Sequence, residues 1–157
     1  MQLSDVPSAN ALGDRIHVAF PEGPHIIEER QRLFPACCLS LWCDHAFAGY
    51  LISHPWHLGR PPSLDALLGE IPPGCDTFYI HDLAVASAVR GRGFAGQGVA
   101  RIKTHAAAMN FSSLTLISVN KTLEFWQAHG FRSEHAISNA AELAFYGNDA
   151  SYMRCDF

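Results

Sequence analysis

Apolar positions in the first 35 residues recur at helical spacing. Leu12, Ile16 and Phe20 follow Ser4-Asp5-Val6-Pro7, a capping residue with proline in the first turn, and predict a first helix broken by Pro21 and Pro24. Ile26, Ile27 and Leu33 in a charged background predict a second helix that ends before Pro35. From Ala36 the pattern changes: Cys-Cys-Leu-Ser-Leu-Trp-Cys, Asp44-His45, then Ala-Phe-Ala-Gly-Tyr-Leu-Ile-Ser predict a two-stranded hairpin. Pro55, Pro61, Pro62, Pro72 and Pro73 make 55–76 loop-rich, with a short helix at Leu64 to Leu68. A strand follows at 77–85, then a helix from Phe94 to Met109 with Val99, Ile102, Ala106 and Met109 on one side. A strand at 114–119, a short helix at 121–129 stopped by Gly130, and strands near 131–136 and 150–156 complete the chain.

This order is two helices, three strands, helix, strand, helix and two strands. No repeat, low-complexity tract or linker interrupts it, which predicts one mixed sheet flanked by helices. Only three residues precede the first cap, so any strand ahead of the first helix is vestigial.

Composition narrows the function classes. The 157 residues suffice for one domain with its own core. A formal charge of -4 argues against a general nucleic-acid binder, which needs a basic face. The five cysteines are odd in number and lack Cys-x-x-Cys spacing, so neither a disulfide framework nor a zinc site is expected. His54-Pro-Trp-His57 supplies two histidines without a nearby acidic set, and no metal is expected there. With no leader and no apolar run of membrane-spanning length, the expectation is a cytoplasmic protein with no membrane partner.

The chemistry concentrates after the strand at 77–85. Arg90-Gly-Arg-Gly-Phe-Ala-Gly96 runs from that strand into a helix, and glycines at a helix start let a phosphate approach unpaired backbone N–H groups. Gly91, Gly93 and Gly96 satisfy the dinucleotide fingerprint as a pattern. That reading also requires an acidic residue about 20 positions on, and none occurs between Asp82 and Glu124. A P-loop fails for want of Gly-Lys-[Ser/Thr].

Arg90-Gly91-Arg92-Gly93-Phe94-Ala95 resembles the [Gln/Arg]-x-x-Gly-x-[Gly/Ala] turn of the GNAT superfamily of N-acetyltransferases. Leu83-Ala84-Val85 before it, Asn120 after a strand, Phe125-Trp126 and Gly130-Phe131 are similar to further landmarks of that superfamily, in order and spacing. The resemblance is good over roughly 38–135. It implies an α/β (α+β) GNAT-like fold with a mixed, mostly antiparallel central sheet, and a single acyl-CoA-dependent N-acyltransferase domain over 1–157. The implied activity is acetyl transfer from acetyl-CoA to an amine by direct attack in a ternary complex, by a monomer or homodimer. The implied cofactor contacts are Leu83, Ala84 and Val85 to the pantetheine arm, residues 91–96 with Arg90 or Arg92 to the pyrophosphate, and Asn120, Phe125 and Trp126.

Strand alternation places Tyr79, His81 and Leu83 on one face and Asp82 on the other unless a bulge rotates it. His81 is the candidate general base, beside the reading of a satisfied structural histidine. Many superfamily members carry tyrosine where this chain has Trp126, and an indole N–H is no practical proton donor. Tyr79, Tyr146 and Tyr152 are the alternatives, with water, for protonating the thiolate; the other outcome is a noncatalytic acyl-CoA-binding or regulatory module. Trp42, Tyr50, His54, Trp56 and His57 are candidates for the acceptor pocket, or for core and sheet surface.

Overall fold

The computed structural model describes residues 1–135, 143, 145–147 and 150–157. A 3-10 turn at Leu3–Asp5 leads into helix α1 (Val6–Ile16), and Pro24 opens α2 (Pro24–Leu33). Asp5 caps the 3-10 turn: its carboxylate accepts the Gln2 N–H at 2.8 Å. The first helix ends at Ile16, one turn short of the predicted Phe20. Phe20 instead closes a separate turn, its N–H bonding His17 O at 2.8 Å, and its ring packs 5.4 Å from that of Tyr146.

Six strands form one sheet in the order β1-β2-β3-β4-β6-β5, with β1 Cys38–Cys43, β2 Ala46–Trp56, β3 Thr77–Val85, β4 Ser113–Ser118, β5 Arg132–Ser133 and β6 Ser151–Asp156. Among the described residues only β3 and β4 pair in parallel, so the sheet is mixed and mostly antiparallel. Among the described residues no strand precedes α1. Asp44 and His45, at φ 50° and 63°, make the two-residue turn between β1 and β2. β2 continues past the predicted Ser53 through Pro55. Proline is tolerated there because β1 ends opposite Ile52, leaving that side of β2 without a ladder to donate to.

The helix predicted at Leu64 to Leu68 is not formed. Asp65 lies at φ 54°, and the N–H groups of Asp65, Leu68 and Gly69 bond the carboxylates of Glu22 and Glu29 at 2.8–2.9 Å. Arg30, fully buried, pairs with Glu29 and donates to Ala66 O at 2.8 Å. Side chains flanking and within α2 thus satisfy the backbone groups that a helix would have paired internally.

Helices cover both faces of the sheet. On one, Val99, Ile102 and Ala106 of α3 (Phe94–Ala108) and Trp126 of α4 (Leu123–Ala128) pack on Leu51, Phe78, Ile80, Leu114, Leu116 and Met153. On the other, Val6, Ala9 and Leu12 of α1 and Ile27 of α2 pack on Tyr50, Ile52 and Ala84. Burying each large aliphatic side chain contributes about 1.5–3 kcal/mol. Met109, predicted on the α3 stripe, is instead its exposed C-cap.

Candidate functional site

β3 and β4 pair only at Phe78 with Leu114 and Tyr79 with Thr115. Both strands continue, to Val85 and Ser118, so beyond Tyr79 the parallel pair splays apart. A cavity of about 750 Å³ opens at this splay, lined by β3, the end of β4, the starts of α3 and α4, and the α1 side of the molecule.

One end of the cavity is the glycine turn. Gly91 and Gly93 lie at φ 75° and 80°, a left-handed backbone that favours glycine, and Gly93 is the N-cap of α3. A Cβ built on Gly91 meets nothing within 4 Å, so the turn faces open space. Gly96 serves differently: a Cβ there would lie 2.5 Å from His129 Nε2. Gly91, Gly93, Phe94, Ala95 and Gly96 line the cavity and present a helix start to it, which fits an anionic group such as a pyrophosphate. Arg90 lines it too and donates Nε–H to Val85 O at 2.9 Å. Arg92 instead stacks on Phe94, Cζ 5.2 Å from the ring centre, and is absent from the lining.

The other end is set by a β-bulge. Asp82 pairs with Ile52 but Ile80 pairs with Ser53, so His81 is the extra residue on β3. Strand alternation therefore fails here. Tyr79 and His81 face the α1 and α2 side, Asp82 turns to that side as well, and Leu83 packs against the opposite core. The expectation that Leu83 shares a face with His81 is corrected, and the bulge is the reason.

Two histidine–carboxylate contacts result. His81 Nε2 lies 3.0 Å from Glu22 Oε2, and His17 Nε2 lies 2.9 Å from Asp82 Oδ1. Burial pushes the Glu22 carboxyl up, but the charge and hydrogen bond of His81, then the Asp65 N–H and Arg30, outweigh it and bring its pKa to about 2. Burial lowers the His17 imidazole, yet the Asp82 carboxylate, aided by Glu22 and opposed by Arg90, leaves it net raised. Tyr50 donates its hydroxyl to Asp82 Oδ2 at 2.5 Å; burial and then Asp82 raise its pKa.

Asn120, at φ 54°, lines the cavity and lies 3.2 Å from His17 Nδ1 through its side-chain nitrogen. Phe125 lines it as well and stacks 4.4 Å from the His129 ring. Trp126 reaches the wall but is largely core, and its indole N–H donates to Thr122 Oγ1 at 3.2 Å. Ala84 is buried against α1 and does not line the cavity. Tyr79 and Tyr146 line the cavity; Tyr152 does not, and its hydroxyl accepts the Gly59 N–H at 2.9 Å. Burial raises the Tyr79 phenol well above its ordinary range.

Of the aromatic and histidine set assigned to the acceptor pocket, only Tyr50 lines the cavity. Trp42 is half exposed on β1, Trp56 donates to Arg60 O at 2.6 Å, and His54 is fully buried, its ring 6.2 Å from that of His81. Burial brings the His54 pKa to about 3, so it is neutral. Sequence reasoning missed Asp14, His17, Glu22 and His129, all cavity-lining. Proline on both sides of Glu22 was the one available sign that this segment leaves the helix.

A mostly antiparallel sheet, splayed at its one parallel pair beside a glycine turn, defines the class as an acetyltransferase-type α/β fold. The Acetyltransferase (GNAT) family model matches residues 11–131, and the chain belongs to that family. No curated protein sequence matches it significantly. Among solved structures it is similar to the GphF GNAT-like decarboxylase in complex with isobutyryl-CoA, at 16% identity over 99% of this chain and 96% of that one, TM-score 0.83. It is also similar to Chaetomium thermophilum Naa20 in complex with a bisubstrate analogue, at 14% identity over 100% and 84% of the two chains, TM-score 0.74. N-acetylglutamate synthase from Neisseria gonorrhoeae, complexed with coenzyme A and N-acetyl-glutamate, matches at 16% identity over 97% of this chain and 32% of that one, TM-score 0.72. At these identities the likeness carries the fold.

Proposed function

We propose that the protein is an N-acetyltransferase that moves the acetyl group of acetyl-CoA to an amine by direct attack in a ternary complex, with His81 as general base. One observation carries this reading: a single cavity joins the glycine turn, the free edges of the splayed strands and the His81–Glu22 pair. The turn would hold the pyrophosphate, and the edge of β3 at Leu83 to Val85 the pantetheine arm.

Glu22 accepts the Nε2 proton of His81, which leaves the Nδ1 lone pair to take a proton from the attacking amine, directly or through water. A carboxylate held near pKa 2 keeps its charge throughout and stabilises the imidazolium that forms. Acidic groups at the acceptor side, Asp14 and Glu22, suit an acceptor that arrives as an ammonium ion. In this reading the protein acts on small amines in the cytoplasm, alone or as a homodimer.

The test is CoA release from acetyl-CoA over a panel of amines, repeated with His81→Gln. The variant is expected to lose about 100-fold or more in kcat while acetyl-CoA KM stays within threefold; a variant with unchanged kcat removes His81 from the mechanism. The engaged indole N–H of Trp126 favours a second reading, a noncatalytic acyl-CoA-binding module. That reading predicts acetyl-CoA binding by calorimetry with no CoA release for any amine.

A further inference from the structure

Around the His81–Glu22 pair the cavity wall is apolar. Phe20 lies two positions before Glu22, Leu64 precedes the Asp65 whose N–H bonds Glu22 Oε1 at 2.9 Å, and the buried Tyr79 ring lies 6.4 Å from that of His81; all three line the cavity. Tyr146 joins them, its ring centre 5.4 Å from that of Phe20 at a tilt of 42°. Phe20 comes from the turn after α1 and Tyr146 from the stretch before β6, so two segments distant in the chain meet at the acceptor end. Both rings are half-buried, which leaves aromatic surface for a ligand to cover.

The fixed charges at this end are of one sign. Asp14, Glu22 and Asp82 line the cavity, while Arg90, the one arginine that lines it among the described residues, stands at the glycine turn with its Nε–H on Val85 O. Arg30 is committed to Glu29 and Ala66 O, and residues 133–153, which include Tyr146, contain no lysine or arginine. A carboxylate on the acceptor would therefore meet acidic groups and no cation, and an unpaired charge taken out of water is strongly disfavoured. An ammonium is drawn in. The carboxylates near the base are already engaged, Glu22 by His81 and Asp65, Asp82 by Tyr50 and His17, so they attract one ammonium on its way to losing a proton but do not hold a second, permanent one.

We propose that Phe20 and Tyr146 form an aromatic clamp that selects, as acceptor, a primary monoamine carried on an apolar, ring-sized body and lacking any carboxylate. This rests on the acetyltransferase reading above. The amine points to His81 and Glu22, and its body lies against Phe20, Tyr146 and Leu64. Free amino acids are excluded by charge, and polyamines and amino sugars by the want of polar partners along the apolar wall.

The experiment measures CoA release by the full chain from acetyl-CoA with 2-phenylethylamine, with phenylalanine, which adds only a carboxylate, and with 1,4-diaminobutane, which puts a second ammonium in place of the ring. 2-Phenylethylamine is expected to exceed phenylalanine in kcat/KM by about 100-fold and 1,4-diaminobutane by about tenfold. Phe20→Ala and the milder Phe20→Leu should raise the KM for 2-phenylethylamine by about tenfold and about threefold, with the acetyl-CoA KM unchanged. Phenylalanine or 1,4-diaminobutane turned over as well as 2-phenylethylamine, or a 2-phenylethylamine KM unaltered in both Phe20 variants, overturns the clamp. Calorimetry of the same amines on the CoA-bound chain separates that failure from failure of the acetyltransferase reading. If no amine is acetylated, 2-phenylethylamine that binds, and binds about tenfold more weakly to Phe20→Ala, upholds the clamp without the enzyme; no binding, or binding no tighter than that of phenylalanine, overturns it.

Discussion

Gly13→Ala is expected to destabilise the native chain yet stabilise the Tyr50→Phe variant. Inside a helix alanine is favoured over glycine by about 1 kcal/mol. At this position, however, a Cβ lies 2.6 Å from the Tyr50 hydroxyl, which is buried and bound to Asp82 at 2.5 Å. Displacing it removes a hydrogen bond to a charged group, about 1.5–3 kcal/mol, so the net loss is about 0.5–2 kcal/mol. In Tyr50→Phe the nearest ring atom is Cζ at 3.7 Å, an ordinary contact, and alanine should add up to about 1 kcal/mol. Urea unfolding of the wild type, both single variants and the double variant gives the coupling directly, provided m is unchanged. Equal stabilisation by alanine in both backgrounds would refute the packing of Tyr50 on Gly13, and with it the network that holds Asp82.

Three further outcomes follow from the same geometry. Glu22 has a pKa depressed to about 2 against an ordinary value of 4.5, so its contribution is full above pH 4.5 and is lost as pH falls towards 2; this is on the order of 3 kcal/mol. Glu22→Gln should remove that share of the acid decline in unfolding free energy, and an unchanged decline refutes the pairing with His81. Gly91→Ala places a methyl group in open space at φ 75°, and should raise acetyl-CoA KM about tenfold through backbone strain of about 1–2 kcal/mol and a blocked turn, with kcat at saturation near wild type. Trp126→Phe removes the bond to Thr122 and leaves a void where the indole packs on Phe125 and Phe131, and should keep kcat within threefold; a hundredfold loss would make the indole a participant.

The glycine turn, the strand before it and α3 were legible because their signals are local: Gly91 and Gly93 occupy left-handed backbone, and Val99, Ile102 and Ala106 follow the helical period. His81 was a candidate for the same reason, as a titratable group on a readable strand, and it lines the cavity beside Glu22. Alternation put its neighbour Asp82 on the opposite face unless a bulge intervened; the bulge is there, and it left no trace in the pattern while reversing the face of everything after it. Glu22 and His17 lie beyond periodicity altogether. They sit where α1 stops and the chain turns over β3, and their partners His81 and Asn120 are 59 and 103 positions away. The helix at Leu64 to Leu68 failed because Glu22, Glu29 and Arg30 compete for its backbone groups, and such competition is visible only once α2 is in place.

Glu22 divides its two oxygens. Oε2 holds His81 and Oε1 accepts the Asp65 N–H at 2.9 Å, while Asp65 Oδ1 in turn accepts the Gly23 N–H at 2.7 Å. Leu64, next in the chain, lines the acceptor side of the cavity. One rigid carboxylate is therefore a lever with the proline-rich segment at one end and the imidazole at the other. In the proposed enzyme an acceptor that shifts Leu64 or Asp65 would bear on the imidazole through that single carboxylate.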